Sequence, residues 1–273
     1  MTRIVQNRAA EKPLELICLP HAGGSALLYR RWAERLPPTV RVRPLELPGH
    51  GARRALPPHT EWPALIDSLL LDVVTHVDIH APFAVFGHSM GALVGLALIH
   101  AVRSRYGRTP VWFGASACVA PGHRPLEGNW LTCTPEAMVD KLRGLGGTPD
   151  ELLNDRGFID FMLPVLRADF HLCGTYARFA ASMPPGKRAP LDCPIAVFTG
   201  RDDSATACID DIAAWSAQAR AVCTQHRFDG GHFFIDTTPE PVLAAVAASL
   251  DGALADVKGC APASLTQGEA WTH

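Results

Sequence analysis

The stretch that most restricts the fold is Ala84-Val85-Phe86-Gly87-His88-Ser89-Met90-Gly91-Ala92. Apolar residues from Phe83 to Phe86 run into a Gly-x-Ser-x-Gly turn, and small and apolar residues follow from Met90 to about Val102. This reads as a strand, an elbow and a helix. A serine at such an elbow is pushed toward a strained backbone, with its hydroxyl exposed. Gly87 and Gly91 lack a Cβ, so strand and helix can close tightly around it. The helix N-terminus then sets unpaired N–H groups and a positive dipole end beside the hydroxyl. The plainer reading of the same residues is an ordinary corner whose serine caps the helix.

The rest of the chain repeats the strand-then-helix alternation. Apolar runs at Leu14 to Leu19, Val40 to Leu47, Val111 to Val119, Ile195 to Thr199 and Ala221 to Phe228 predict strands. Tyr29 to Leu36, Trp62 to Val77, Asp210 to Ala219 and Pro239 to Leu250 predict helices; Leu65, Ile66, Leu69, Leu70, Val73 and Val74 recur at helical spacing. Continuous apolar strands alternating with helices imply an α/β fold, a mostly parallel sheet covered on both faces. Right-handed crossovers place the strand C-termini along one edge, so Gly23-Gly24, Ser89 and the Pro121-Gly122 turn would line it. Ligand sites of open α/β sheets gather there.

From about residue 121 to 190 the pattern changes. Short helices are predicted at Pro135 to Leu145, Pro149 to Asn154 and Phe158 to Phe170, and Met183-Pro184-Pro185-Gly186 closes the interval. We read it as a helical lid inserted over that edge; the alternative is a pair of crossover helices of the core. Its apolar positions Met138, Leu142, Phe158, Phe161, Met162 and Leu166 suit either a small core or the lining of a pocket. Residues 251–273 are small and polar and are expected to form a flexible tail, the whole chain, 1–273, making a single domain.

Composition excludes several classes of function. With 48% hydrophobic residues, 19% charged residues and a formal net charge of −2, the chain has no electrostatic footprint for nucleic acid or anionic membrane. Met1 to Lys12 carries charges and no apolar centre, and apolar runs elsewhere are too short to span a bilayer. A cytoplasmic protein fits these features; they leave the oligomeric state open, with a monomer as the expectation. The eight cysteines include no C-x-x-C pair, so reduced and mostly buried thiols are expected rather than a disulfide framework or a zinc site.

A serine hydroxyl becomes a nucleophile when a base lies within hydrogen-bond reach and an acid holds that base's tautomer. When the serine sits on a strand-to-helix elbow, the partners follow in the order Asp/Glu, then His, on loops after late strands. Among the twelve histidines, His232 has that position, behind Gly230-Gly231 and after the last strand. Asp202 and Asp203 both follow the preceding strand, and the Gly-x-x-Asp pattern favours Asp203. Asp229 lies too near His232 in sequence to reach behind it. An oxyanion needs two backbone donors: the N–H of Met90, after the serine, and one from the loop Pro20-His21-Ala22-Gly23-Gly24, where Ala22 is the choice.

Together, five motifs resemble one family: Leu19-Pro20-His21-Ala22-Gly23-Gly24-Ser25, Leu47-Pro48-Gly49-His50-Gly51, Gly87-His88-Ser89-Met90-Gly91, Gly200-Arg201-Asp202-Asp203 and Phe228-Asp229-Gly230-Gly231-His232-Phe233. Their order and spacing are similar to the type II, editing thioesterases of nonribosomal peptide and polyketide synthesis, and Leu163 to Phe170 resembles that family's lid. The resemblance spans about residues 13 to 250. It implies an α/β-hydrolase that cleaves acyl or aminoacyl thioesters from the phosphopantetheine arm of carrier proteins, without metal or organic cofactor. Ser89 would be the nucleophile, His232 the base and Asp203 the orienting acid. His21 stands where an aromatic residue is common, which leaves open the N–H that completes the oxyanion hole. A small-molecule carboxylesterase, and a carrier-binding protein without catalysis, remain as alternatives.

Overall fold

In the computed structural model, which describes residues 12–259, the chain alternates as its periodicities imply. In order the elements are β1 (Leu14–Leu19), α1 (Arg30–Arg35), β2 (Val40–Pro44), α2 (Trp62–His76), β3 (Phe83–His88), α3 (Met90–Tyr106) and β4 (Trp112–Ser116). Then follow α4 (Pro135–Leu145), α5 (Asp150–Leu153), α6 (Arg156–Ser182), β5 (Ile195–Gly200), α7 (Ile209–Ala213), β6 (Cys223–Phe228), α8 (Phe234–Thr237) and α9 (Pro239–Gly259). The six strands form one sheet in the order β2-β1-β3-β4-β5-β6, every pair parallel. This is the α/β arrangement with helices on both faces.

Alternation along each strand divides the core in two. In β1, Ile17 and Leu19 join Val85 of β3 and Phe113 of β4 on the face covered by α2 and α3, where Leu69, Val73, Leu93 and Leu96 are buried. Leu16, Cys18, Phe86, Trp112 and Phe198 point the other way, against Trp32 of α1 and Val242, Val246 and Leu250 of α9. Helix α3 is buried along nearly its whole length, which explains why its sequence is apolar all round rather than striped.

The interval between β4 and β5 differs from the expected three short helices. Helix α6 continues for 27 residues, straight through Pro164. That proline lies on the exposed side, and its missing N–H frees only a solvent-facing carbonyl, while Ile159, Leu163, Leu166 and Phe170 hold the other side down. The first half of α6 packs with α4 in a small core of Met138, Leu163, Leu166 and Phe170, separate from the main one. The second half returns to the body, where Leu172, Cys173 and Tyr176 join the α2–α3 core. At the far end of the chain, the segment read as a tail from residue 251 is helical as far as Gly259 within α9; the remainder lies outside the described residues.

Candidate active site

Three loops at the C-terminal edge of the sheet carry the site. Ser89 stands between β3 and α3 with φ 55° and ψ −114°, one of two non-glycine residues at positive φ among those described. Register demands this strain. Gly87 pairs with Leu19 of β1 and His88 with Ser116 of β4, and the Ser89 N–H donates to the Ser116 carbonyl at 2.7 Å. The chain must reverse into α3 at once, and the glycines permit it. A Cβ on Gly87 would lie 2.0 Å from the Gly91 carbonyl oxygen, and one on Gly91 would lie 2.1 Å from that of Leu19.

The glycine-rich loop after β6 brings His232 over the serine. Its Nε2 lies 2.9 Å from Ser89 Oγ and its Nδ1 lies 3.0 Å from Asp203 Oδ2. With the carboxylate able only to accept, Nδ1 carries the hydrogen and Nε2 is left to accept the hydrogen bond of the serine hydroxyl. Asp203 is buried, and its oxygens also accept the Thr206 hydroxyl at 2.8 Å and the Ala205 N–H at 3.0 Å. Burial opposes its ionisation, but His232 beside it and these two donors outweigh that and hold its carboxyl below the usual range. Asp202 is exposed, and Asp229 faces away to pair with Arg201 at 2.8 Å.

Of the expected oxyanion donors, Met90 follows the serine directly and Ala22 lines the same cavity as Ser89. Met90, first residue of α3, has no carbonyl one turn back to receive its N–H. In the loop after β1, the Gly23 N–H donates to Asp169 Oδ2 at 2.7 Å and that of Gly24 to the His21 carbonyl at 2.9 Å. This leaves the N–H groups of His21 and Ala22 without an acceptor among the described residues. His21 packs edge-on against Phe233, 4.9 Å between centroids, and burial lowers its pKa, so it stands neutral beside the serine. His88 is buried under the elbow with Nδ1 2.9 Å from Ser116 Oγ; burial and then His232 push its pKa well down.

Ser89 and His232 open on a cavity of about 220 Å³ roofed by the interval between β4 and β5. Leu142, Phe158, Met162 and Leu166 line it, whereas Met138 is in the small core beneath α4 and α6, and Phe161, 68% exposed, faces outward. Arg124, Glu127 and Lys141 give the cavity a polar side that the sequence did not suggest. The buried partners His50 and Asp169 were also missed. Each lay inside a quoted motif, but nothing in either motif says that they meet.

Among the described residues there is no group of three or more side chains able to hold a metal ion, and no helix is long and apolar enough to cross a membrane. Cys18, Cys118, Cys173 and Cys193 are buried free thiols, and burial pushes Cys173 and Cys193 up to about 12. Cys133 and Cys223 are half-buried, Cys208 is exposed, and Cys260 lies outside the described residues.

A family profile described as "Thioesterase domain" matches residues 14–250. The linear gramicidin dehydrogenase LgrE of Brevibacillus parabrevis is 34% identical over 92% of this chain and 92% of its own length. Among solved structures, the type II thioesterase BorB of the borrelidin biosynthetic cluster is 33% identical with a TM-score of 0.75, covering 88% of this chain and 94% of that one. The RedJ thioesterase of the prodiginine pathway in Streptomyces coelicolor is 32% identical with a TM-score of 0.77, covering 88% of this chain and 87% of that one.

Proposed function

The chain belongs to the thioesterase family, and from that premise we propose that it removes acyl or aminoacyl groups from phosphopantetheinyl carrier proteins of a nonribosomal peptide or polyketide synthetase. Its task there is to regenerate carriers blocked by wrong or stalled groups, with the interval 121–190 as a lid over the arm. The observation that carries this reading is the unbroken relay of Asp203, His232 and Ser89, with contacts of 3.0 and 2.9 Å, at the mouth of an acyl-sized cavity.

In the proposed reaction Ser89 Oγ attacks the acyl carbon while His232 Nε2 takes its proton. The carbonyl oxygen, now an anion, is met by the Met90 and Ala22 N–H groups. Collapse breaks the carbon–sulfur bond, and the departing thiolate takes the proton from His232. A water then gives its proton to His232 and attacks the acyl-serine; collapse breaks the acyl carbon–Oγ bond, Oγ takes the proton back from His232, and the carboxylic acid leaves with Ser89 restored. The Asp203 carboxylate stays ionised throughout and stabilises the imidazolium. A thiolate is a good leaving group, so no metal or organic cofactor is called for. The name of LgrE speaks of oxidation, but the serine relay favours acyl transfer.

The test is turnover of acyl-carrier thioesters against soluble esters, with Ser89→Ala and His232→Ala as controls. Each substitution should lower kcat by at least ~10⁴-fold, and the double variant should be no worse than the single ones. A far higher kcat/KM on soluble esters, or additive losses, overturns the proposal.

A further inference from the structure

The relay leaves unused a second buried histidine–carboxylate pair. His50, in the turn after β2, and Asp169, on α6, have side chains only 3% exposed each, with Nε2 2.8 Å from Oδ2. The other ring nitrogen of His50, Nδ1, lies 3.1 Å from the Pro48 carbonyl oxygen. With Asp169 as a carboxylate both neighbours accept, and an imidazole that satisfies both carries a proton on each nitrogen, which makes the pair a charged one. Burial opposes that charge, but Asp169, the Pro48 carbonyl and Glu46 outweigh it and raise the His50 pKa. Enclosing such charges is costly, and the pair is tied to a third element.

It holds the oxyanion loop. The same Asp169 Oδ2 that meets His50 accepts the Gly23 N–H at 2.7 Å, across 146 residues of sequence. Gly23 is the third residue of a turn closed by the Gly24 N–H on the His21 carbonyl, and its φ of +71° makes this a type II turn. Types I and II differ by a flip of the central peptide, here the Ala22 C=O and Gly23 N–H. Asp169 grips one end of that peptide, and His21 Nδ1, 2.9 Å from the Ala22 oxygen, grips the other. Leu166 of α6 closes over the same glycine, where a Cβ would meet its Cδ2 at 2.7 Å.

We propose that Asp169, held by His50, is a positioning residue that keeps the loop 20–24 in its catalytic form and makes that form depend on how α6 is seated. This rests on the thioesterase reading with Ser89 as nucleophile. Asp169 touches no reacting atom; it acts through the peptide whose rotation would reshape the loop carrying the Ala22 donor. A helix that roofs the acyl cavity and also sets the oxyanion loop couples the roof to the chemistry.

The experiment compares wild type, Asp169→Ala and Asp169→Asn by kcat and KM on an acyl-pantetheine thioester, by Ki of a trifluoromethyl ketone, and by melting temperature. The ketone adds to Ser89 as a stable tetrahedral anion, so with Ser89 and His232 unchanged a difference between variants reports the oxyanion hole. Losing a donor outright costs about 10²–10³-fold. A misplaced one should therefore lower kcat of Asp169→Ala by about 10–100-fold, weaken the ketone by the same factor, and move KM less than ~3-fold. Asp169→Asn keeps an oxygen for the Gly23 N–H and should recover most of the loss. Should Asp169→Ala fail to fold because it strands a buried charge, His50→Gln with Asp169→Ala removes both charges and is judged by the same readouts. A folded variant with kcat and ketone affinity within ~3-fold of wild type, or a fall in kcat that the ketone does not follow, overturns the lock. A wild type inert to both thioester and ketone overturns the hydrolase reading instead.

Discussion

Replacing Gly91 by alanine sets two physical effects against each other, and the structure decides the sign. Gly91 is the second residue of α3, and helix propensity alone says that alanine there should stabilise by up to about 1 kcal/mol. The added Cβ, however, would sit 2.1 Å from the Leu19 carbonyl oxygen and 2.7 Å from that of Pro20. These are backbone atoms at the end of β1, a strand paired on both sides, and they cannot rotate away. Relief requires α3 to move off the sheet by about 1 Å, at an overpacking cost of roughly 1–3 kcal/mol. That movement carries Ser89 and the Met90 N–H away from the loop after β1, and a displacement of about 1 Å at a reacting centre can cost ~10²-fold in rate. We expect kcat/KM on an acyl-pantetheine thioester to fall about 100-fold and the melting temperature to drop by roughly 2–10 °C. Gly144→Ala, near the end of α4 with no atom within 4 Å of its Cβ position, is the control, and it should hold or raise stability. A Gly91→Ala protein as stable and as active as wild type would refute the reasoning.

Two further predictions concern protons. Asp203→Asn should lower kcat by about 10⁴-fold, because the amide no longer holds His232 in the tautomer that accepts the serine proton. The folded-state pKa of Asp203 is depressed, so its stabilising contribution is complete above its unfolded value near ~3.9 and is lost as pH falls through the folded one. Urea unfolding should therefore separate wild type from the asparagine variant at pH 7 and bring them together in strong acid. His100 is buried, and burial followed by Arg103, whose guanidinium donates to its Nδ1 at 3.1 Å, lowers its pKa to about 4. A base with a lowered pKa binds its proton less readily when folded, so stability falls with pH between about 6.5 and 4, by about 3 kcal/mol in all. His100→Gln should flatten that part of the stability profile, and an unchanged slope would show the group contributes nothing.

The α/β layering was legible because each strand and helix announces itself within a few residues. Leu14 to Leu19, Trp62 to Val77 and the elbow at Ser89 carry their own periodicity and punctuation, and α3 declares its burial by being apolar throughout. The chain order of Ser89, Asp203 and His232, and the glycines around each, were also visible in the sequence, whereas the contact of Asp203, not Asp202, with His232 is a tertiary observation. Helix α6 was less legible. Pro164 signals a break to any local rule, yet the helix crosses it because the packing of its buried face outweighs one lost solvent-side hydrogen bond. Phe161 shows the same limit: helical spacing put it with the apolar set, but its side chain faces solvent.

By itself, then, the sequence determined which segments would be strands or helices, which turns need glycine, and in what order reactive side chains reach one edge of the sheet. Those properties depend on backbone sterics and short-range periodicity, which a window of ten or so residues contains. Only the tertiary structure decided that His50 meets Asp169 across 119 residues, and that this carboxylate takes the Gly23 N–H of the loop after β1. Such pairings have no local signature, because burying a charge becomes tolerable only once distant elements have packed around it and supplied its partner.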